Sequence, residues 1–241
     1  FIRSIQKFAH KYSLREAADL YGQLCADIIT YYRKQNHPRA LLHRNGLIWV
    51  DGIKRPATWM NATENGWPIN PRTGYVVEIN ALWYNAMLFT AEMLREMGKE
   101  TSADLMEYQA NIAKDAFVKT FWNGVYLYDF VINDYADKEV RPNMIWAVGL
   151  PFSPLDKRQQ KAVVDICTKE LLTPRGLRSL SPKSGHYRPM YYGNQVERDR
   201  SLHNGVVWPS TIAAYSRAYM QVYKHSGVAF MERALIGYEQ E

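Results

Sequence analysis

Apolar residues recur at intervals of three and four along several stretches of the chain, the period that gathers them on one side of an α-helix. Ser13 and Glu16 have capping-box spacing, and Leu14, Ala17, Tyr21, Leu24, Ile28 and Tyr31 then form a stripe that predicts a helix to about Lys34. A second stripe, Ile79, Leu82, Trp83, Ala86, Phe89, Met93 and Met97, stops at Gly98, a residue suited to the left-handed turn that closes a helix. A third follows from a Thr101 or Ser102 cap through Leu105, Ile112, Ala116 and Phe117, so close behind that the two helices should lie antiparallel. Another helix should start near Asp156 and carry Val163, Ile166, Cys167 and Leu171. Pro209 suits the first position of a helix to about Tyr223, and a last one runs from Val228 and is cut off by the chain end.

Between these helices lie irregular stretches, roughly 38–77, 122–143 and 173–208, rich in Gly, Pro, Asn and aromatic residues. Brief strands are expected inside them at Leu47–Val50 and Val125–Phe130. Helix pairs tightly joined at one end and elaborately joined at the other imply an all-α toroid whose long loops gather on one face, and that face is where function belongs. No fixed-period repeat runs along the chain, which disfavours a solenoid.

The 241 residues, 47% of them apolar, suffice for one large domain, and no low-complexity tract reads as a linker. Beginning at Phe1 and ending in GYEQE, the chain is expected to be a piece cut from a longer protein. The net charge of +6 comes from dispersed Lys and Arg, a poor footprint for nucleic acid, and no apolar run is long enough to suggest a membrane partner. Cys25 and Cys167 fall inside predicted helices, as buried free thiols of a reducing compartment such as the cytoplasm would. No HxxxH or CxxC spacing suggests a metal, and no glycine-rich phosphate loop, GxSxG or HExxH motif is present, so no cofactor is expected.

Chemistry concentrates in two places. The stretch TWMNATENGWPINPRTGYVVEINALWYN, residues 58–85, mixes ring faces with amides and acids, the combination that stacks on a pyranose and grips its hydroxyls; a solvated loop with incidental aromatics is the plain alternative. The stretch RPMYYGNQVERDRSLHNGVVWPS, residues 188–210, brings together Arg188, Tyr191, Tyr192, Glu197, Arg198, Asp199, His203 and Trp208; an Arg198–Asp199 network that merely shapes the loop is its alternative. Glycoside hydrolysis needs one protonated and one ionised carboxyl, and the loop acids available are Asp51, Glu64, Glu78, Asp129, Asp134, Glu197 and Asp199. Glu78 stands out at the start of an apolar helix, where it could equally complement the helix dipole.

Taken with VRPNMIWAVGLP at 140–151 and LLTPRGLRSLSP at 171–182, these clusters resemble the C-terminal amylo-α-1,6-glucosidase domain of glycogen debranching enzymes, in the branch found in bacteria. TWM followed by PRxGxxVEINALWYNA is the most specific part, and HxGxVWP completes the series over residues 41–210. The resemblance implies an (α/α)6 toroid of the six-hairpin glycosidase type, incomplete here. It implies an α-glucan such as glycogen as partner, and hydrolysis of α-1,6-linked glucose with inversion and without a metal or organic cofactor. By the same resemblance Trp59, Asn80, Trp83, Arg141, Asn143, Arg178, His203 and Trp208 belong around the sugar, with Glu78 and Asp199 holding hydroxyls or assisting catalysis.

Two departures from the family pattern stand out. Many relatives follow TWM with an Asp regarded as the general acid, and here that place is Asn61, an amide with no proton to give at neutral pH. A nearby acid such as Glu64 or Asp51 then takes the role, or turnover is weak. Eukaryotic members carry a Glu where this chain has Val206 and Val207; bacterial members place a Glu motif further on, expected past Glu241. A degenerate toroid that grips α-glucan without cleaving it is the rival from another class, and a glucoamylase or trehalase relative is a third reading.

Overall fold

The computed structural model describes residues 1–236 and is mostly helical, with short antiparallel strands between the helices. Helix α1 (Ile2–Lys11) was not marked by the sequence pattern, having no capping side chain at Phe1. Helix α2 (Leu14–Arg33) starts where the pattern put it, with the Ser13 hydroxyl accepting the Glu16 N–H at 3.3 Å. Its buried face is shifted from the expected stripe: Ala17, Ala18, Gly22, Cys25 and Ile29 go inside, while Leu24 and Tyr31 are exposed. Small side chains won because they let α2 approach its neighbour closely; a Cβ on Gly22 would sit 2.4 Å from Met97 Sδ.

That neighbour is α3 (Val77–Glu96), the hub of the molecule. Its first turn, Val77 and Ala81, packs with Phe117, Leu127 and Tyr215; Trp83, Met87 and Leu94 pack with Ile29, Ile48 and Met106; Phe89 and Met93 pack with Ile5 and Ala17. A helix apolar on every side must be enclosed, and this one touches all three parts of the core. Gly98, at φ +71°, turns the chain into α4 (Glu100–Phe121), which begins before the expected Thr101 or Ser102 cap and uses no side-chain cap. The buried face of α4 alternates small and large side chains, Ala103, Met106, Ala110, Ala113, Phe117 and Phe121; Phe117 goes inside as expected, whereas Leu105 and Ile112 are exposed.

Beyond α4 a turn of 3₁₀-helix at Pro142–Ile145 runs into the short α5 (Trp146–Gly149). Helix α6 (Lys157–Glu170) carries the full Asp156–Gln159 capping box. Helix α7 (Gln195–Leu202) lies inside the stretch expected to be irregular, and its own capping box, Asn194 with Glu197, is the signal the apolar pattern hid. Pro209 opens a 3₁₀ turn that continues as α8 (Ile212–Tyr223), followed by α9 (Val228–Leu235).

The long loops carry the strands. One antiparallel sheet has the order β1 (Ala40–Leu42), β2 (Ile48–Val50), β5 (Gly74–Val76), β6 (Phe130–Ile132) and β7 (Tyr135–Ala136), with β3 (Thr63–Glu64) and β4 (Trp67–Pro68) pairing as a separate hairpin. A second sheet has the order β10 (Val207–Trp208), β9 (Gly176–Arg178) and β8 (Leu172–Thr173). The strand expected over 125–130 instead begins at Phe130, because Asn123 Oδ1 takes the N–H groups of Val125 and Tyr126 and bends the chain into a turn. The pairing of β5 with β6 brings the first and second irregular stretches together, since Tyr75 faces Val131 and Val76 faces Phe130.

Candidate active site

Parts of all three irregular stretches, from 64–72, 128–141 and 183–204, wall one open cleft of about 1410 Å³. Its base is a buried charge cluster. Arg72, in the loop just before β5, donates through Nη1 and Nη2 to both carboxylate oxygens of Glu78 at 2.5 and 2.8 Å. Its Nε and Nη2 reach Asp129 Oδ2 and Oδ1 at 2.7 and 3.0 Å. Burial works against the Arg72 charge, but Asp129 and Glu78 outweigh it and hold the guanidinium above its ordinary pKa. Asn143 Nδ2 adds a 2.7 Å bond to Asp129 Oδ1, and Trp59 Nε1 donates to Asn143 Oδ1 at 2.7 Å.

Arg141 ties the third stretch to this base, donating to the carbonyls of Ser179 and His203 at 3.2 and 2.6 Å and to Asn204 Oδ1 at 3.2 Å. Burial lowers its pKa, with Arg72 acting in the same direction and Asp129 against it. The outer seam is closed by Glu64 and Arg200, paired through two bonds of 2.8 and 2.5 Å, which hold the Glu64 carboxyl below its ordinary range. Asn70 Nδ2 reaches Asn204 Oδ1 at 2.9 Å, and the Asn61 N–H donates to His203 Nε2 at 3.1 Å. His203 stacks on Trp208 at 5.2 Å while Trp59 meets both rings edge-on at 5.1 Å. Burial first, then the charges of Arg141 and Arg72, push His203 down to about 4, so the imidazole is neutral and accepts at Nε2.

The two sequence clusters therefore share one cavity region, yet many of the expected site residues hold it up rather than line it. Glu64 and Arg141 are on the cleft wall. Trp59, Asn143, His203 and Trp208 form the joint beside it. Glu78 lies beneath, locked on Arg72. Asn80 clamps β2, accepting from Ile48 N at 2.8 Å and donating to Ile48 O at 3.0 Å. Trp83 is buried with Nε1 on the Gly46 carbonyl, and Arg178 bonds Tyr187 and the Leu172 carbonyl. Asp199 accepts from Gln195 within α7, and the exposed Asn61 side chain is not part of the wall.

The wall also holds Arg72, which belongs to the Pro-Arg-Thr-Gly turn of the most specific motif, and Trp67 and Tyr135 as exposed rings. Asp137, Arg200 and Asn204 were passed over by the sequence reading; Asp137 lies four residues before Arg141, so nearness to a motif was the signal that could have found it. Asp137 follows β7 with its carboxyl pushed above the usual range by burial and by the Asp129 charge. The surface thus combines exposed rings, arginine and amide donors, and carboxyls whose pKa values are shifted in opposite directions, Glu64 down and Asp137 up. Among the described residues no group of three or more His, Cys, Asp or Glu is placed to hold a metal ion. Cys25 and Cys167 are free and buried, and burial raises both thiols, Cys25 to about 11.

Comparison with known proteins bears on this site. A family model described as amylo-alpha-1,6-glucosidase matches residues 1–239. A curated relative, the glycogen debranching enzyme of Saccharomyces cerevisiae, is 26% identical over 223 residues, covering 72% of this chain. The chain spans 14% of that relative's length.

Proposed function

Because the chain belongs to the amylo-alpha-1,6-glucosidase family, we propose that it carries the glucosidase step of a glycogen debranching protein, releasing α-1,6-linked glucose at trimmed branch points with inversion. The observation that carries this reading is the cleft shared by the three loops, with acids, arginines and exposed rings on one wall system. Residues 1–241 would form most of one glucosidase domain of the (α/α)6 type. Among the described residues no helix is long and apolar enough to cross a membrane.

An inverting glycosidase works by single displacement, one carboxyl protonating the leaving oxygen while a carboxylate about 6.5–9.5 Å away orients water on the other side of the sugar. Glu64, kept ionised by Arg200, suits the water-orienting role. Trp67 and Tyr135, each more than half exposed on the wall, suit stacking on glucosyl units. Arg141 and Asn204 suit the hydroxyls, with Trp59, Asn143, His203 and Trp208 fixing the loop that carries Glu64. Glu78 serves through Arg72, and Asp199, on the helix that carries Arg200, stands outside the wall.

Asn61 favours a second reading, an α-glucan binder that does not cleave. Incubating the full-length protein with phosphorylase limit dextrin and measuring free glucose separates the two. Glucose released first as the β-anomer is the expected result; polymer retained with no glucose formed would establish the binder.

A further inference from the structure

Asn61 has no proton to give and Glu64 is tied to Arg200, so the cleft needs another acid. We propose that Asp137 is the proton donor of the glucosidase reaction, an assignment that rests on the functional reading above. Asp137 lies on the cleft wall where β7 ends, next to the exposed ring of Tyr135. Its N–H donates to the Phe130 carbonyl at 2.9 Å and its Oδ1 accepts the Glu139 N–H at 2.9 Å. Those two backbone contacts aim the carboxyl, and no hydrogen bond from the described residues occupies Oδ2.

The other acids of the wall are committed or in water. Glu64 is held ionised by Arg200; Asp129 is bridged by Arg72 and Asn143; Glu139 accepts from Ser184 Oγ at 2.8 Å; Asp134 stands exposed. Asp137 has the opposite surroundings. Burial and the charges of Asp129 and Glu139 favour its protonated form, more than the Glu139 N–H and the Arg141 charge favour its ionised one. Tyr126 and Tyr135 have their own pKa values raised in part by it, and Tyr128, Asp134 and Lys138 stand on the same wall. From the remaining walls the charged or titratable groups facing the cleft are Glu64, Arg200, Arg188, Lys183 and His186, with Arg72 at the base.

In the reaction the Asp137 proton passes to the glycosidic O6 as the C1–O6 bond breaks, and the glucan leaves with a free 6-hydroxyl. Water adds to C1 and gives its proton to Glu64. Exchange with solvent then returns Glu64 and Asp137 to their starting states.

Two substrates test the assignment in the full-length protein: phosphorylase limit dextrin, whose leaving oxygen needs a proton, and α-glucosyl fluoride, whose fluoride departs without one. Asp137→Asn is expected to lower kcat on the dextrin by about 10²- to 10⁴-fold and to leave the fluoride rate within a few-fold. For the unaltered protein, kcat/KM on the dextrin should fall on the alkaline side, and that limb should be absent with the fluoride. Equal losses on both substrates, no loss on either, or a shared alkaline limb would overturn Asp137 while leaving the glucosidase reading in place. An unaltered protein that releases glucose from neither substrate would overturn both. The pH comparison needs no variant, so it decides the matter even if Asp137→Asn fails to fold.

Discussion

Arg72 shows how a single side chain can tie together the base of a cleft. Its N–H groups match two carboxylates, and with Arg72 only 3% exposed each partner is needed to offset the cost of burying the others' charge. Glu78→Gln would leave Arg72 underpaired, and the expected cost is about 3 kcal/mol of stability, read from the midpoint of denaturant unfolding. Activity should then recover in step with refolding when the variant is assayed at low temperature, as a positioning residue requires. The sequence marked Glu78 as an acid at a helix start, next to a Pro-Arg-Thr-Gly turn. Only the folded distance shows that the turn's own arginine claims it.

At the level of elements, periodicity located helices well and their faces less well. Helices α2 and α4 put Ala, Gly and Cys at most of their buried positions and leave Leu24, Tyr31, Leu105 and Ile112 more open, because small side chains let them pack on α3 at close range. Close approach decides another contact too. A Cβ on Gly149 of α5 would lie 2.6 Å from the Ala214 carbonyl oxygen of α8, and backbone cannot swing aside as a side chain can. Gly149→Ala should therefore push α5 and α8 apart and cost about 1–3 kcal/mol, measurable as a lower unfolding midpoint with little change in slope.

For the molecule as a whole, the meeting of distant loops is the decisive event, and His203 is at the joint. Its folded pKa of about 4 lies below the ordinary value of 6.5, so between those values the unfolded chain binds a proton that the folded one refuses. The stability this provides is complete above pH 6.5 and is lost as the pH falls through 4, on the order of 3 kcal/mol in all. Protonation would also remove the acceptor for the Asn61 N–H and add a third cation near Arg141 and Arg72. Melting temperatures taken from pH 7 to pH 4.5 should fall steeply for the natural chain, and His203→Gln should flatten that slope.

Local chemistry was readable along the chain because it acts over a few residues: the Ser13 and Asp156 caps, the Gly98 stop, the turn residues between strands and the motif series that marks the family. Such signals depend on spacing, and spacing survives in one dimension. Which face of α2 turns inward and which acid is bound to an arginine depend on neighbours more than fifty residues away, such as Asp129 beside Arg72 or Arg200 beside Glu64. Burial and charge act through space, so they were settled only when the three loops closed on one cleft.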